Sequence, residues 1–305
     1  MGYNRVVFDF EIDFLNGGGI QGQDFRLDIE GDTIGDQDVG DAIVRDLRLL
    51  MVGAVRIRNK RIIDERHKRA DAGVLGATGA RGPMHVDLSH TVHEGLITYK
   101  GLPAPVICDF LSREDSRAFY DENTTFQIGR IDMVANTGTY LDSPFHRFAD
   151  GKDLSELDLA SLAGLDAVVA RVTGAVGRAV DRDVFLPLDV RGKAVLVETG
   201  WSRHWATDQY FEGHVYLTRN AAEYLRDAGA ALVGIDSYNI DDTADRARPV
   251  HTALLGAGIP IVEHMCNLES LPASGFRFTA VPVKVRGMGT FPVRAFATLI
   301  PHEGQ

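Results

Sequence analysis

Residues 136–147 read Asn136-Thr137-Gly138-Thr139-Tyr140-Leu141-Asp142-Ser143-Pro144-Phe145-His146-Arg147, the densest polar run in otherwise strand-like sequence. Gly138 and Pro144 fix the backbone here, glycine by reaching conformations closed to other residues and proline by locking φ. The polar side chains between them are therefore held in set positions. Asp142 and His146 stand four residues apart, but Pro144 lies between them and cannot sit in a helix interior. The spacing predicts a strand end followed by a loop, with both side chains converging.

Outward from this run, short apolar segments alternate with helical ones. Residues 166–172, 193–198 and 231–235 are rich in β-branched residues and read as buried strands. Residues 217–228 place Leu217, Ala221, Tyr224 and Leu225 on one helical face, and Gly229 follows where a helix end favours a left-handed residue. In the tail, VPVKV, a GMGTF turn and VRAFATL read as a hairpin. These patterns predict an α/β domain with mixed sheets over residues 81–305.

Residues 1–80 read as a separate α+β extension of ββα type, with a linker at its end. Residues 6–14 alternate, with Phe8, Phe10, Ile12 and Phe14 on one face; Gly17-Gly18-Gly19 breaks the pattern and 23–29 resumes it, which predicts a hairpin. Ile43, Leu47, Leu50, Met51 and Ala54 recur at helical spacing, with Asp41 near the helix start. Residues 55–58 suit a strand, 60–69 a charged helix or tail, and the Ala- and Gly-rich 70–82 a linker. A unit this short leaves apolar faces to be covered, so a homodimer or larger homo-oligomer is expected. Gly17, Gly19 and Gly22 match a dinucleotide fingerprint in spacing only, because a strand rather than a helix follows them. The acidic run from Asp32 to Asp41 lacks calcium-loop spacing, and no Gly-x-Ser-x-Gly nucleophile elbow occurs.

Composition narrows the function classes. The 305-residue chain is 45% hydrophobic and 25% charged, with a net charge of -11. That balance argues against nucleic acid and anionic membrane surfaces as partners. No run approaches the roughly 18 apolar residues of a membrane span, and the acidic N-terminus lacks the order of a signal peptide. Two cysteines, Cys108 and Cys266, form neither a disulfide framework nor a zinc-ligand spacing, so a cytoplasmic location is expected.

A second polar cluster lies at His251, with Glu263 twelve residues later, after Gly256-Ala257-Gly258 and a strand over 259–263. Asp, His and Glu together suit Mn²⁺, Zn²⁺ or Fe²⁺, and a further histidine beside such an ion makes a natural general base.

Residues 84–300 resemble the cyclase superfamily, whose best-known activities are kynurenine formamidase and isatin hydrolase. The resemblance is carried by Asp87-Leu88-Ser89-His90, Thr199-Gly200-Trp201, Val233-Gly234-Ile235-Asp236, His251 followed by Leu254-Leu255, Ile259-Pro260-Ile261-Val262-Glu263, and Asn267-Leu268. The family signature, His-x-Gly-Thr-His-x-Asp-x-Pro-x-His, appears here as Asn136, Gly138, Thr139, Tyr140, Asp142, Pro144 and His146. The resemblance implies a kynurenine formamidase-like (swivelling β/β/α) domain. It implies Asp142, His251 and Glu263 as metal ligands and His146 as the catalytic acid/base. Asn136 and Tyr140 stand where two-metal members have histidines, which implies one divalent metal, Zn or Mn, in place of a pair. Tyr140 then joins the catalytic groups and Asn136 the substrate-binding ones, with Trp201 and His204 lining the pocket. The implied reaction is hydrolysis of a small amide, formamide, lactam or lactone. The same residues also fit a metal-free cyclase or dehydratase using His146 and Tyr140, or a non-catalytic binding protein.

Overall fold

The strand over residues 4–14 organises the first of two structural units. The computed structural model describes residues 4–15, 18–29, 31, 33–46, 52–64, 83–121, 123–174 and 177–300, and the chain divides into Met1–Ala80 and Arg81–Gln305. In the first unit β1 (Asn4–Phe14) pairs antiparallel with β2 (Gly19–Ile29) on one side and β3 (Val52–Asp64) on the other. Gly18 turns the β1–β2 hairpin at φ +77°, a left-handed conformation that favours glycine. Phe8, Phe10 and Ile12 form the buried core of this unit with Val39 and Ile43 of α1 (Asp36–Asp46). Sheet face and helix stripe thus cover one another, although these were the faces from which self-association was expected.

Two local readings change. Ala54, placed by periodicity on the helix, lies in β3, and residues 60–64 continue that strand where a charged helix or tail was expected. The reason is the free edge of β1, which pairs with residues as far as Asp64. Alternation then sets Arg56 and Arg58 on the outer face beside Asp13 and Glu11, at 2.9 and 3.2 Å. Leu47, Leu50, Met51, residues 65–69 and the 70–82 linker lie outside the described residues.

The second unit holds β4 (Met84–Asp87), β5 (Val106–Leu111), β6 (Ile128–Asp132), β7 (Tyr140–Asp142), β8 (Leu165–Arg171), β9 (Ala179–Val180), β10 (Ala194–Glu198), β11 (Tyr216–Leu217), β12 (Leu232–Ile235), β13 (Ile261–Glu263), β14 (Ser274–Thr279), β15 (Thr290–Pro292) and β16 (Phe296–Leu299). Its main sheet runs β15-β7-β13-β12-β10-β8-β14-β16-β4. The centre, β13-β12-β10-β8, is parallel, as expected for continuous apolar strands such as Val195-Leu196-Val197, buried on both faces. Antiparallel strands complete both sides. One face packs on α3 (Arg219–Ala228) and α4 (Pro249–Gly256). Thr218 caps α3 at its start, so Leu217, expected on the helical face, lies in β11 instead; Gly229 ends the helix at φ +83°, the left-handed stop that the sequence predicts. The short α2 (Arg113–Ser116) follows β5, whose hairpin with β6 stands outside the main sheet, as does the β9–β11 pair.

The hairpin expected over 281–299 does not form. Residues 281–285 are in no strand, while β15 pairs with β7 and β16 with β14. Pro282 has no N–H for a ladder, Val281 and Val283 stay exposed, and β15 and β16 instead complete edges that bury Val293, Ala295 and Ala297. This pairing sets Thr290 opposite Asp142, and β13 sets Glu263 opposite Tyr140. The polar groups therefore gather along the β13–β7–β15 side of the sheet, with Glu263 at the carboxyl end of β13 and Asp142 beside Ile261 at its start.

Candidate active site

Asp142 ends β7 with its side chain fully buried. Its Oδ1 accepts a hydrogen bond from Thr290 Oγ1, while Oδ2 has no hydrogen-bond partner among the described residues. An ionised oxygen buried without a partner is costly, so a cation or proton belongs beside it. His251 supplies the next group, with Nε2 3.6 Å from Asp142 Oδ2 and 3.9 Å from Glu263 Oε1.

The first turn of α4 fixes His251. Asp241 accepts from Val250 N (2.7 Å) and His251 N (3.1 Å), and so satisfies backbone donors that a helix start leaves free. The same carboxylate lies 2.6 Å from His251 Nδ1. A carboxylate only accepts, so Nδ1 carries the hydrogen and Nε2 faces Asp142 and Glu263. Burial works against a charge on this imidazole, yet the neighbouring carboxylates of Asp142, Asp241 and Glu263 prevail and push its pKa up to about 10. A proton therefore sits where an ion would compete for Nε2.

Glu263 is held from two sides, by Ile240 N at 2.6 Å and by the Tyr140 hydroxyl at 2.7 Å. Burial, with the charge of Asp142, raises its pKa to about 7 against the opposing pull of His251. Burial and the Glu263 charge push the Tyr140 phenol well above its ordinary value, so it keeps its proton and donates. Behind it, His264 Nε2 lies 3.3 Å from the Tyr140 oxygen and Nδ1 lies 2.9 Å from the Tyr210 hydroxyl. Burial drives the His264 pKa well below 6.5, so that ring is neutral. With the Tyr140 hydrogen given to Glu263, the donors run in one direction: Tyr210 to His264, His264 to Tyr140, Tyr140 to Glu263.

His146 ends the 3₁₀ turn Pro144–His146 with its side chain 35% exposed. Its Nδ1 is 2.8 Å from Thr290 Oγ1. The single hydroxyl hydrogen of Thr290 is already committed to Asp142, so His146 Nδ1 must donate. In the neutral ring this tautomer leaves Nε2 bare, the form a general base requires.

Donor atoms of Asp142, His146 and His251 lie within 4.8 Å of one another. One carboxylate oxygen without a partner and a histidine whose remote nitrogen bonds a second carboxylate are the arrangement that orients an imidazole toward a metal. The donor set fits one divalent ion. The Tyr140 phenol, which stands where two-metal relatives of the signature have a histidine, is tied to Glu263.

A cavity of about 240 Å³ opens onto this cluster, and Asn136, Tyr140, His146, His251 and Glu263 line it. Trp201 and His204, expected in the lining, are absent from it. The left-handed Gly200, whose N–H bonds Asp236, turns Trp201 into a buried aromatic cluster with Tyr210 and Tyr238. His204 stays beside Trp201, ring centroids 4.7 Å apart. Asp241, Thr290, Asn239 and Arg248 were missed by the sequence reading. The polar run after the strand over 231–235 was the available signal for Asp241 and Asn239; nothing local marked Thr290. Among the described residues no helix is long and apolar enough to cross a membrane.

Comparison with known proteins agrees with this architecture. The Cyclase family model matches residues 86–242, just over half of the chain; the match stops short of His251 and Glu263. Kynurenine formamidase of Geobacillus thermodenitrificans is 29% identical over 176 residues, spanning 57% of this chain and 81% of that protein. A structure described as a potential metal-dependent hydrolase with cyclase activity shares 25% identity at a TM-score of 0.60, over 73% of this chain and 100% of the other. Isatin hydrolase A from Labrenzia aggregata superposes at a TM-score of 0.62 with 19% identity, over 72% of this chain and 94% of its own. The α/β fold expected from the sequence is the fold of these structures.

Proposed function

Starting from a chain that belongs to the Cyclase family, we propose that it hydrolyses a small amide, formamide, lactam or lactone with the aid of one divalent metal, Zn or Mn. The carrying observation is the meeting of Asp142, His146 and His251 within 4.8 Å, beside a carboxylate oxygen that lacks a partner. Kynurenine formamidase and isatin hydrolase among the similar proteins support cleavage of a carbon–nitrogen bond outside peptides. Asp142 and His251 would hold the ion, with Glu263, whose Oε1 lies 3.9 Å from His251 Nε2, in place of His146 as third donor, which leaves His146 free as the acid/base. When bound, such an ion acidifies water and polarises a carbonyl oxygen.

The remaining chemistry falls to side chains. His146, through its bare Nε2, takes the proton of the attacking water and returns it to the leaving nitrogen or oxygen. General acid/base groups of this kind contribute about 10²–10⁴-fold. Tyr140 fixes Glu263 with its retained proton, and Asn136 offers amide donors to the oxygen that gains charge. The test is a screen of small formamides, lactams and lactones against wild type and His146→Ala, with metal content measured in both. Turnover should fall at least about 100-fold in the variant while metal is retained. No turnover by wild type, or an unaffected variant, removes the proposal.

Self-association and a cytoplasmic location belong to the same proposal. The β5–β6 hairpin leaves Val106, Phe110, Ile128 and Ile131 exposed, an apolar surface that a second copy would cover. We assign residues 1–80 to assembly. Light scattering that finds monomers at micromolar concentration removes the first idea, and an unchanged assembly after deletion of 1–80 removes the second. Cys108 and Cys266 are both free, which suits a reducing compartment.

A further inference from the structure

The cavity wall carries charge that the proposed hydrolysis leaves unused. Arg248 and Arg147 both line it. Arg248 is half-buried and takes a left-handed backbone conformation, φ +48° and ψ +60°, which a non-glycine residue rarely adopts. Its Nη1 donates to Asn239 Oδ1 at 3.3 Å and lies 3.5 Å from the carbonyl oxygen of Asp242. Asn239 is itself fixed: Oδ1 also accepts from Asp241 N at 2.9 Å, and Nδ2 donates to the Tyr99 hydroxyl, which donates to Tyr238 O at 3.0 Å. The guanidinium is thus positioned by a chain of packed side chains, yet its other N–H groups bond nothing among the described residues.

No carboxylate forms an ion pair with Arg248 or Arg147 among the described residues. Among the described residues the Arg147 guanidinium bonds only the Thr252 hydroxyl, at 3.2 Å, and lies 5.3 Å from the centre of the Phe148 ring. The chain has 43 acidic residues and a net charge of -11, so carboxylate partners are plentiful elsewhere. Two guanidiniums without one, on a single cavity, mark the place of an anion that the chain does not supply. A guanidinium fork matches a carboxylate with two parallel hydrogen bonds. The cavity, about 240 Å³, falls below the ~300–1,000 Å³ of drug-sized ligands, which calls for a small molecule.

We propose that the substrate carries a carboxylate besides its scissile bond, and that Arg248 receives it, with Arg147 adding to the positive field. The scissile bond rests on the hydrolase reading above; the anion-binding wall rests on the arginines alone. Arg248 is a binding residue and takes no part in bond cleavage. It sorts substrates by a group remote from the reacting carbonyl, so its removal acts on KM before kcat.

The test uses matched probes: formanilide against the 2-, 3- and 4-formamidobenzoates for turnover, and benzoate against benzamide for calorimetric binding to the protein as purified. Wild type should favour at least one formamidobenzoate over formanilide by about tenfold or more in kcat/KM. Arg248→Gln should erase that preference through KM and weaken benzoate binding about tenfold or more, with Arg248→Lys retaining part of each. Metal content and thermal midpoint report whether the start of α4 stays intact. If Arg248→Gln fails to fold, Arg248→Lys and Arg147→Gln carry the test, and both should weaken benzoate binding. Equal use of charged and neutral probes, or benzoate binding that ignores these substitutions, overturns the proposal. If no probe is hydrolysed, arginine-dependent benzoate binding keeps the anion wall and places the failure on the hydrolase reading; arginine-independent binding overturns both.

Discussion

Replacing Asp241 by Asn keeps the side chain's shape and removes one acceptor. Val250 N donates to Oδ1 at 2.7 Å, while His251 N and Nδ1 both meet Oδ2, at 3.1 and 2.6 Å. An amide has one accepting end and one donating end, so in either orientation its NH₂ faces an N–H. With NH₂ at the Oδ2 position, His251 is driven to carry its hydrogen on Nε2, the nitrogen that faces Asp142. With NH₂ at the Oδ1 position, the first turn of α4 loses the acceptor for Val250 N. Either way a buried donor goes unsatisfied, at about 1–3 kcal/mol of stability. Loss of such a partner behind a metal-binding histidine costs about 10–100-fold in metal affinity, or about 1.4–2.8 kcal/mol. The assay is Zn²⁺ or Mn²⁺ affinity by chelator competition, with urea unfolding to confirm that the variant is folded. A folded Asp241→Asn protein that binds metal as tightly as wild type would refute the assignment of Nε2 to the ion.

Other perturbations follow from the same geometry. Because the proton on His251 leaves only near pH 10 and an ion must displace it, metal affinity should rise about tenfold per pH unit across the neutral range; a flat profile would mean His251 is no ligand. A Cβ at Gly289 would lie against His146 N and within 2.5 Å of its Cα. Gly289→Ala should therefore lower stability by roughly 1–3 kcal/mol and displace His146, and a variant with wild-type melting and turnover would contradict the close approach. Burial raises the Asp236 pKa from 3.8 to about 6, against the bonds it accepts from Thr199 and Gly200. Its folded value exceeds its unfolded one, so its contribution to stability is complete below about pH 4 and is lost as pH rises through about 6, on the order of 3 kcal/mol. Urea unfolding of wild type and Asp236→Asn across that window checks this, since the variant should lack that part of the slope.

Much of the architecture was legible because it rests on local chemistry. The buried run Val195-Leu196-Val197 and the left-handed stop at Gly229 need no knowledge of distant partners. Neither does the break at Pro144 between Asp142 and His146. Pairing was less legible. Residues 281–285 had the β-branched content of a strand, but which edges β15 and β16 would meet depends on the whole sheet. Residues 60–64 looked charged and helical, yet β1 had an edge to fill, and alternation turned the charges outward. Thr290 shows the limit most clearly: it bridges Asp142 and His146 only because β15 pairs with β7 in one register. Asp241 bonds His251 because the chain doubles back over ten residues, and Trp201 turns inward because Asp236 anchors the turn before it.

The decisive quantity is the metal-to-protein ratio of chain purified without chelator and then dialysed against trace Zn²⁺ or Mn²⁺. Wild type should hold close to one ion per chain, and His251→Ala should hold essentially none. Two ions per chain, or none in wild type with no gain of activity on adding metal, would contradict a mononuclear centre on Asp142 and His251.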